Sequence, residues 1–413
     1  MNERRRRFLQ GVGATVAVAS AGCVGQLRAL GGSPSEPASE TAAAQFRGDT
    51  TRKGVYPERT VPSSVTVDWR IDDLNTGSHT AAKSSPVQAP DGDIVVAGDS
   101  GEVWKVSPDG SVRWRNDATD TSRGFHGTPM IANDTVYVGA YDGALYAFDL
   151  QSGGQYWRSQ VGDAIGSSPG YHDGLVYIAV EYYDPSGGLF ALDAITGEVV
   201  WQDQRISNHP HSTCAIDREA GRLVVGDNDG KLYGWSYPDH EFLWTYETGG
   251  SIKGPIATHD GRAFFGSWSE HVYSVALADG GEEWAFNAGA NVMAGPSVEP
   301  STGTVYVGNQ DESLFALDAG NGTRLWETDV GGWIIGCPTV TSDHVLVGSY
   351  APKLAAVEKA TGEPVWSVEG EGEVTGTPLV TDEAVYFTER ASDAHIQGSG
   401  GPTGALYRVV ADE

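Results

Sequence analysis

Apolar residues along this chain fall in short alternating runs of four to six, each bounded by Gly, Asp, Asn or Pro. Thr135-Val136-Tyr137-Val138-Gly139 followed by Ala144-Leu145-Tyr146-Ala147-Phe148-Asp149 is one such pair; Thr304-Val305-Tyr306-Val307-Gly308 followed by Ser313-Leu314-Phe315-Ala316-Leu317-Asp318 repeats it. A period of two over so few residues predicts half-buried strands, and the bounding residues predict the hairpin turns between them. The pattern also recurs at longer range. Trp69, Trp114, Trp157, Trp201, Trp244, Trp284, Trp326 and Trp366 are separated by 45, 43, 44, 43, 40, 42 and 40 residues. Each interval holds four strands: one after a Pro, one at Val-Tyr-Val-Gly, one at Leu-Tyr-Ala-Phe-Asp and one ending near the Trp.

Four antiparallel strands in about forty residues is the size of a β-propeller blade, whereas a solenoid has shorter periods and no hairpin signals. Seven complete units run from Ser85 to Trp114, Thr128 to Trp157, Ser168 to Trp201, Ser212 to Trp244, Gly254 to Trp284, Gly295 to Trp326 and Cys337 to Trp366. An eighth begins at Thr377 and ends at Tyr407-Arg408-Val409-Val410 without its Trp. Val65-Thr66-Val67-Asp68-Trp69-Arg70 reads as a fourth strand with no preceding three, so it completes that last unit. The predicted fold is all-β: an eight-bladed propeller over residues 45–413, its ring closed by the N-terminal strand.

Between the third strand and the Trp stands a repeated Ala-Leu-Asp-x-x-x-Gly-x-x-x-Trp, as in Ala191-Leu192-Asp193 with Gly197 and Trp201. The carboxylate accepts backbone N–H groups in the turn, the Gly supplies positive φ, and the Trp packs between neighbouring sheets while its N–H finds a carbonyl. The eight Trp on the grid are therefore expected to be structural docking residues. Trp104, Trp235, Trp268 and Trp333 fall off the grid and need another explanation.

These repeats resemble those of the pyrroloquinoline-quinone (PQQ)-like eight-bladed propellers over about Gln45 to Ala411, and Gln45-Phe46-Arg47-Gly48-Asp49 with Gly54 is similar to a lead-in found before the first blade in that family. The resemblance implies the fold. It spans quinoprotein alcohol and glucose dehydrogenases, the BamB-like lipoprotein of outer-membrane barrel assembly, and exported sensor propellers, so it does not select an activity. The dehydrogenases often hold PQQ against a disulfide between adjacent cysteines and bind Ca²⁺ through Glu, Asn and Asp. This chain has no adjacent cysteines and no long insertions between blades. No bound cofactor is therefore expected, with PQQ and Ca²⁺ as the alternative.

Composition narrows the setting. With 55 Asp+Glu against 27 Lys+Arg, the formal net charge is −28, and so acidic a surface repels nucleic acid. Few lysines and many carboxylates fit a protein kept soluble in concentrated salt, and a halophilic source is expected. At the N-terminus four arginines precede a short, weakly apolar run and Cys23. Arg5-Arg6-Arg7-Phe8-Leu9 resembles a twin-arginine export motif, Arg5, Arg6, Phe8 and Leu9 carrying it, and Ser20-Ala21-Gly22-Cys23 resembles a lipobox. Residues 1–23 are expected to be the signal, with lipid on Cys23, and residues 24–44 a flexible tether. That would place the propeller on the outer face of the cytoplasmic membrane. Cys214 and Cys337 leave open either one disulfide or two buried thiols.

Propeller ligands bind at a mouth of the central channel. Aligning the units puts Lys83, His126, Gly166, His211, Lys253, Ala294, Gly336 and Thr375 at the approach to each inner strand. Lys83, His126, His211 and Lys253 would make a positive spot suited to a carboxylate or phosphate. His209-Pro210-His211 holds two imidazoles, but no third metal ligand follows from spacing, so no metal site is assigned. Tyr141, Tyr182, Tyr183, Trp268, Trp333 and Tyr350 fall near turns, where aromatics can form a peptide or sugar platform. With no His-Glu-x-x-His pair, a metalloprotease reading has no local support. The expected function is a non-enzymatic scaffold or sensor binding another surface protein through interblade loops, with a PQQ-dependent quinoprotein dehydrogenase oxidising an alcohol or sugar as the alternative.

Overall fold

In the computed structural model, residues 43–77, 84–119, 121 and 123–412 are described. Arg5, Arg6, Phe8, Leu9, Cys23 and Lys83 lie outside them. The strands form eight four-stranded antiparallel sheets. Seven are consecutive meanders, spanning residues 87–117, 130–160, 170–206, 215–247, 257–287, 297–329 and 339–369. In the eighth, Leu379–Val380, Val385–Thr388 and Gly404–Ala411 are completed by the first strand of the chain, Val65–Asn75, as expected. No helix among the described residues is long and apolar enough to cross a membrane.

Eight hydrophobic clusters hold the sheets together, and each straddles two consecutive blades. Val103 and Trp114 of blade 1 meet Val136 and Phe148 of blade 2, and Val272 and Trp284 of blade 5 meet Val305 and Phe315 of blade 6. The last cluster joins Tyr386 and Leu406 of blade 8 to Ile94 and Trp104 of blade 1, which makes the arrangement a closed ring. A blade buries its faces only against its neighbours, so the seam between blades 8 and 1 contributes as any other does.

The grid tryptophans dock as their spacing predicts. Indole N–H groups donate to Pro108 O from Trp69 (2.9 Å), Leu150 O from Trp114 (3.0 Å), Ala194 O from Trp157 (3.2 Å) and Leu277 O from Trp244 (3.1 Å). Trp284, Trp326 and Trp366 reach Ala319, Lys359 and Pro62 in the same way. Each acceptor from Pro108 to Lys359 belongs to the next blade. A turn glycine of that blade lies against the ring: at Gly153, φ is +70° and a Cβ would come within 2.6 Å of Trp114. Blade 4 departs from the pattern. His240, at φ 57°, takes the glycine's place and stacks on Trp201 at 4.5 Å and 19°. Of the off-grid tryptophans, Trp104 and Trp235 are core residues, whereas Trp268 and Trp333 are exposed.

The lead-in has a larger role than its position before the first blade suggests. An inner strand leaves one row of backbone groups facing the channel, and these need partners. Residues 44–54 supply them for blades 2 to 7. Ala44 exchanges two hydrogen bonds with Ile131 of blade 2, and the Gln45 side chain bonds both backbone groups of Tyr171 in blade 3. The carbonyls of Thr50, Thr51, Lys53 and Gly54 accept from Ile216, Thr258, Val298 and Val340 of blades 4 to 7, and Arg59 pairs with Asp382 of blade 8. Pairing thus starts at Ala44, inside the expected tether.

Two buried arginines anchor the segment. Arg52 donates to the carbonyls of Phe46 (2.8 Å), Pro169 (3.1 Å) and Cys214 (3.3 Å), while Arg47 donates to Gly295 O (2.8 Å), Pro296 O and Ser297 Oγ (2.8 Å). The two cysteines are separate buried thiols. Burial pushes the Cys214 pKa up to about 11, and Cys337 Sγ accepts from Gly295 N–H at 3.3 Å.

Candidate functional site

Successive strands of a meander run in opposite directions. The hairpins joining second to third strands therefore share a face of the ring with the loops that lead into each inner strand. The channel mouth lies on this face. Phe46 of the lead-in lines it together with His126, Gly166, His211, Lys253, Gly336 and Thr375, six of the eight aligned positions. Of the other two, Ala294 is core and its neighbour Met293 lines the mouth instead, while Lys83 is outside the described residues. The space at the mouth, partly open to solvent, is about 30 Å³, room for about one water.

The positive spot inferred from sequence is only part of the picture, because a buried carboxylate sits within it. Glu181, at the far end of the strand Leu175–Tyr182, has a side chain only 6% exposed and lies 3.2 Å from His211 Nδ1. Its backbone is fixed by exchange with Ala164. Lys253 is held by Trp268, whose ring centroid is 4.5 Å from Nζ. Burial lowers the Lys253 pKa, and the Glu181 charge works against that shift. The His126 ring lies 4.4 Å from that of Tyr141, whose pKa burial raises well above the usual phenol value, with Glu181 adding to the effect and Arg123 opposing it.

His209 comes to the same place. One potential ligand atom from each of Glu181, His209 and His211 lies within 4.8 Å of the others. A third potential donor, which spacing does not supply, is thus brought beside the two histidines. It was hidden because Glu181 belongs to the preceding blade, 28 residues before His209. A faint signal existed: the hairpin around Tyr182-Tyr183-Asp184-Pro185 is longer than its counterparts in the other six consecutive meanders.

PQQ is a planar tricyclic tricarboxylate. Cavities for ligands of that size have volumes of roughly 300–1,000 Å³, and the 30 Å³ at this mouth does not accommodate it. The cations and the Trp268 ring suit an anionic ring system chemically, but the space does not.

The same face carries the exposed aromatics. Tyr183 is 84% exposed, Trp333 52% and Trp268 38%, and Tyr350 lies 5.7 Å from Trp333. Tyr183 and Trp268 are on second-to-third strand hairpins, and Trp333 is on the approach to an inner strand.

Comparison with known proteins places this geometry. Residues 63–218, 207–332 and 310–406 match the family described as outer membrane protein assembly factor BamB. The BamB of Yersinia pestis is 26% identical over 208 residues, covering 47% of this chain and 50% of that protein. A polyvinylalcohol dehydrogenase of Pseudomonas sp. is 28% identical over 241 residues, covering 52% of this chain and 36% of that enzyme. The chain thus spans half or less of the length of these relatives. Among solved structures, a europium-containing methanol dehydrogenase superposes with a TM-score of 0.73 at 13% identity, over 89% of this chain and 98% of that one, a likeness of fold. With matched segments running through nearly the entire ring, the chain belongs to the PQQ-like propeller family of outer membrane protein assembly factor BamB.

Proposed function

We propose that this chain is an exported, lipid-anchored propeller that serves as a non-enzymatic scaffold and binds a partner protein on its mouth face. The observation that carries the reading is that the lead-in pairs with the inner strands of blades 2 to 7, while Tyr183, Trp268 and Trp333 stand exposed on the mouth face. Large aromatics rimmed by polar groups are the usual anchors of protein interfaces. The BamB relatives are assembly factors by name, which is consistent with a protein partner. Export through Arg5, Arg6, Phe8 and Leu9 and lipidation at Cys23 belong to the same proposal and would hold the ring at the outer face of the cytoplasmic membrane.

The test is affinity capture from native membranes in high salt, comparing the full chain with a Y183A/W268A/W333A variant. A protein recovered reproducibly with the first and lost with the second is the expected result. Identical sets from both would overturn the assignment of the face. The dehydrogenase reading, favoured by the polyvinylalcohol dehydrogenase relative, predicts that saturating PQQ with Ca²⁺ raises the melting temperature by mass action. Such a rise would overturn the non-enzymatic proposal.

A further inference from the structure

The Glu181, His209 and His211 cluster calls for an explanation that the partner reading does not provide. Two imidazoles and a carboxylate are the donor set of zinc-class ions, whereas Mg²⁺ and Ca²⁺ take oxygen ligands. The three groups converge for structural reasons. Pro210 lies between the two histidines against Gly187, where a Cβ would come within 2.3 Å of the Pro210 ring. The His209 carbonyl accepts from both His211 N–H and Asn228 N–H at 3.1 Å, which ties the segment to blade 4.

The histidine tautomer follows from a further contact. His209 Nε2 lies 2.9 Å from the carbonyl of Tyr182, the residue after Glu181. A carbonyl only accepts, so Nε2 carries the hydrogen, and in the neutral imidazole Nδ1 keeps the lone pair. Metal-binding histidines are held by this kind of outer hydrogen bond. Gly166 completes the enclosure: a Cβ there would come within 2.8 Å of His211 Nδ1 and 2.9 Å of Glu181 Oε1, so a side chain would intrude on two of the three donors.

We propose that Glu181, His209 and His211 bind one divalent transition-metal ion of the zinc class at the mouth of the channel. Zinc bonds of about 2.0–2.1 Å place tetrahedral ligands about 3.3 Å apart, so the cluster must contract from its present 4.8 Å limit. His211, with a side chain 22% exposed, has the freedom to move. Because His211 also lines the mouth cavity, the fourth position opens there for water or an anionic group. The rival arrangement uses the same residues without metal, Glu181 being satisfied by His211 and by the charge of Lys253.

The full chain, stripped with a chelator, is titrated with Co²⁺ and followed by visible d–d absorption and by melting temperature. One Co²⁺ per chain is expected, with the band of a four-coordinate ion, a raised melting temperature and displacement by Zn²⁺. E181Q and H211A should each weaken binding roughly tenfold or more. H126A, at the same mouth but outside the cluster, should leave it unchanged. Absence of saturable binding by the wild-type chain overturns the proposal, as does binding that survives H209A/H211A. E181Q preserves the shape of the carboxylate and decides the matter if the double variant does not fold.

Discussion

Arg52 shows how much one side chain can organise in a ring. Its guanidinium satisfies carbonyls of the lead-in, of the approach to blade 3 and of blade 4 at once. A lysine has neither the fork nor the reach to replace these bonds. Arg52→Lys is therefore expected to lower stability by about 2–4 kcal/mol, because buried carbonyls lose a charged donor. Chemical denaturation measures this, and an unchanged midpoint would contradict it.

Glu389 sets a pH dependence. It accepts N–H bonds from Glu371 and Gly372 and a hydroxyl bond from Tyr407, yet burial dominates and raises its pKa from 4.5 to about 7. Between those values the folded chain holds a proton that the unfolded chain has released. Stability should fall as pH rises through this window, by about 3 kcal/mol in all, and Glu389→Gln should flatten the slope. Denaturation midpoints at pH 5 and pH 8 decide it. Neither residue announced itself in the sequence: an Arg in a polar lead-in and a Glu after a strand read as solvated until the fold encloses them.

The strand Val65–Asn75 is the element on which closure depends. It pairs from Val65 with Ala411 to Asn75 with Gly404, and its Trp69 reaches across to Pro108 O of blade 1. Trp69→Ala should loosen that seam and cost a few kcal/mol, somewhat less than a fully buried Trp because the residue is only partly buried. A melting temperature equal to that of the wild type would argue against closure through this strand. The strand was legible because its Trp keeps the register of the other seven. The lead-in was legible only as a family resemblance, since its hydrogen bonds are made to six inner strands scattered from Ile131 to Val340.

For the whole chain, the dominant physical fact is its charge of −28. At low ionic strength the carboxylates repel one another, and salt screens that repulsion over a few ångströms. Thermal unfolding should therefore shift upward between dilute buffer and molar KCl. Equal stability in both would refute the proposed halophilic setting.

The number of blades, the docking tryptophans and the closing strand were all written in the chain. Each blade solves the same local problem, so a period-two pattern and an evenly spaced Trp are enough to define it. The mouth was half legible, because alignment of repeats brought His126, His211 and Lys253 to one cavity. The place of Glu181 beside the histidines and the pairing of the lead-in with six inner strands came from three-dimensional packing. Both join residues of different blades, and distances between blades are set by how the sheets close into a ring, which leaves no periodic trace along the chain.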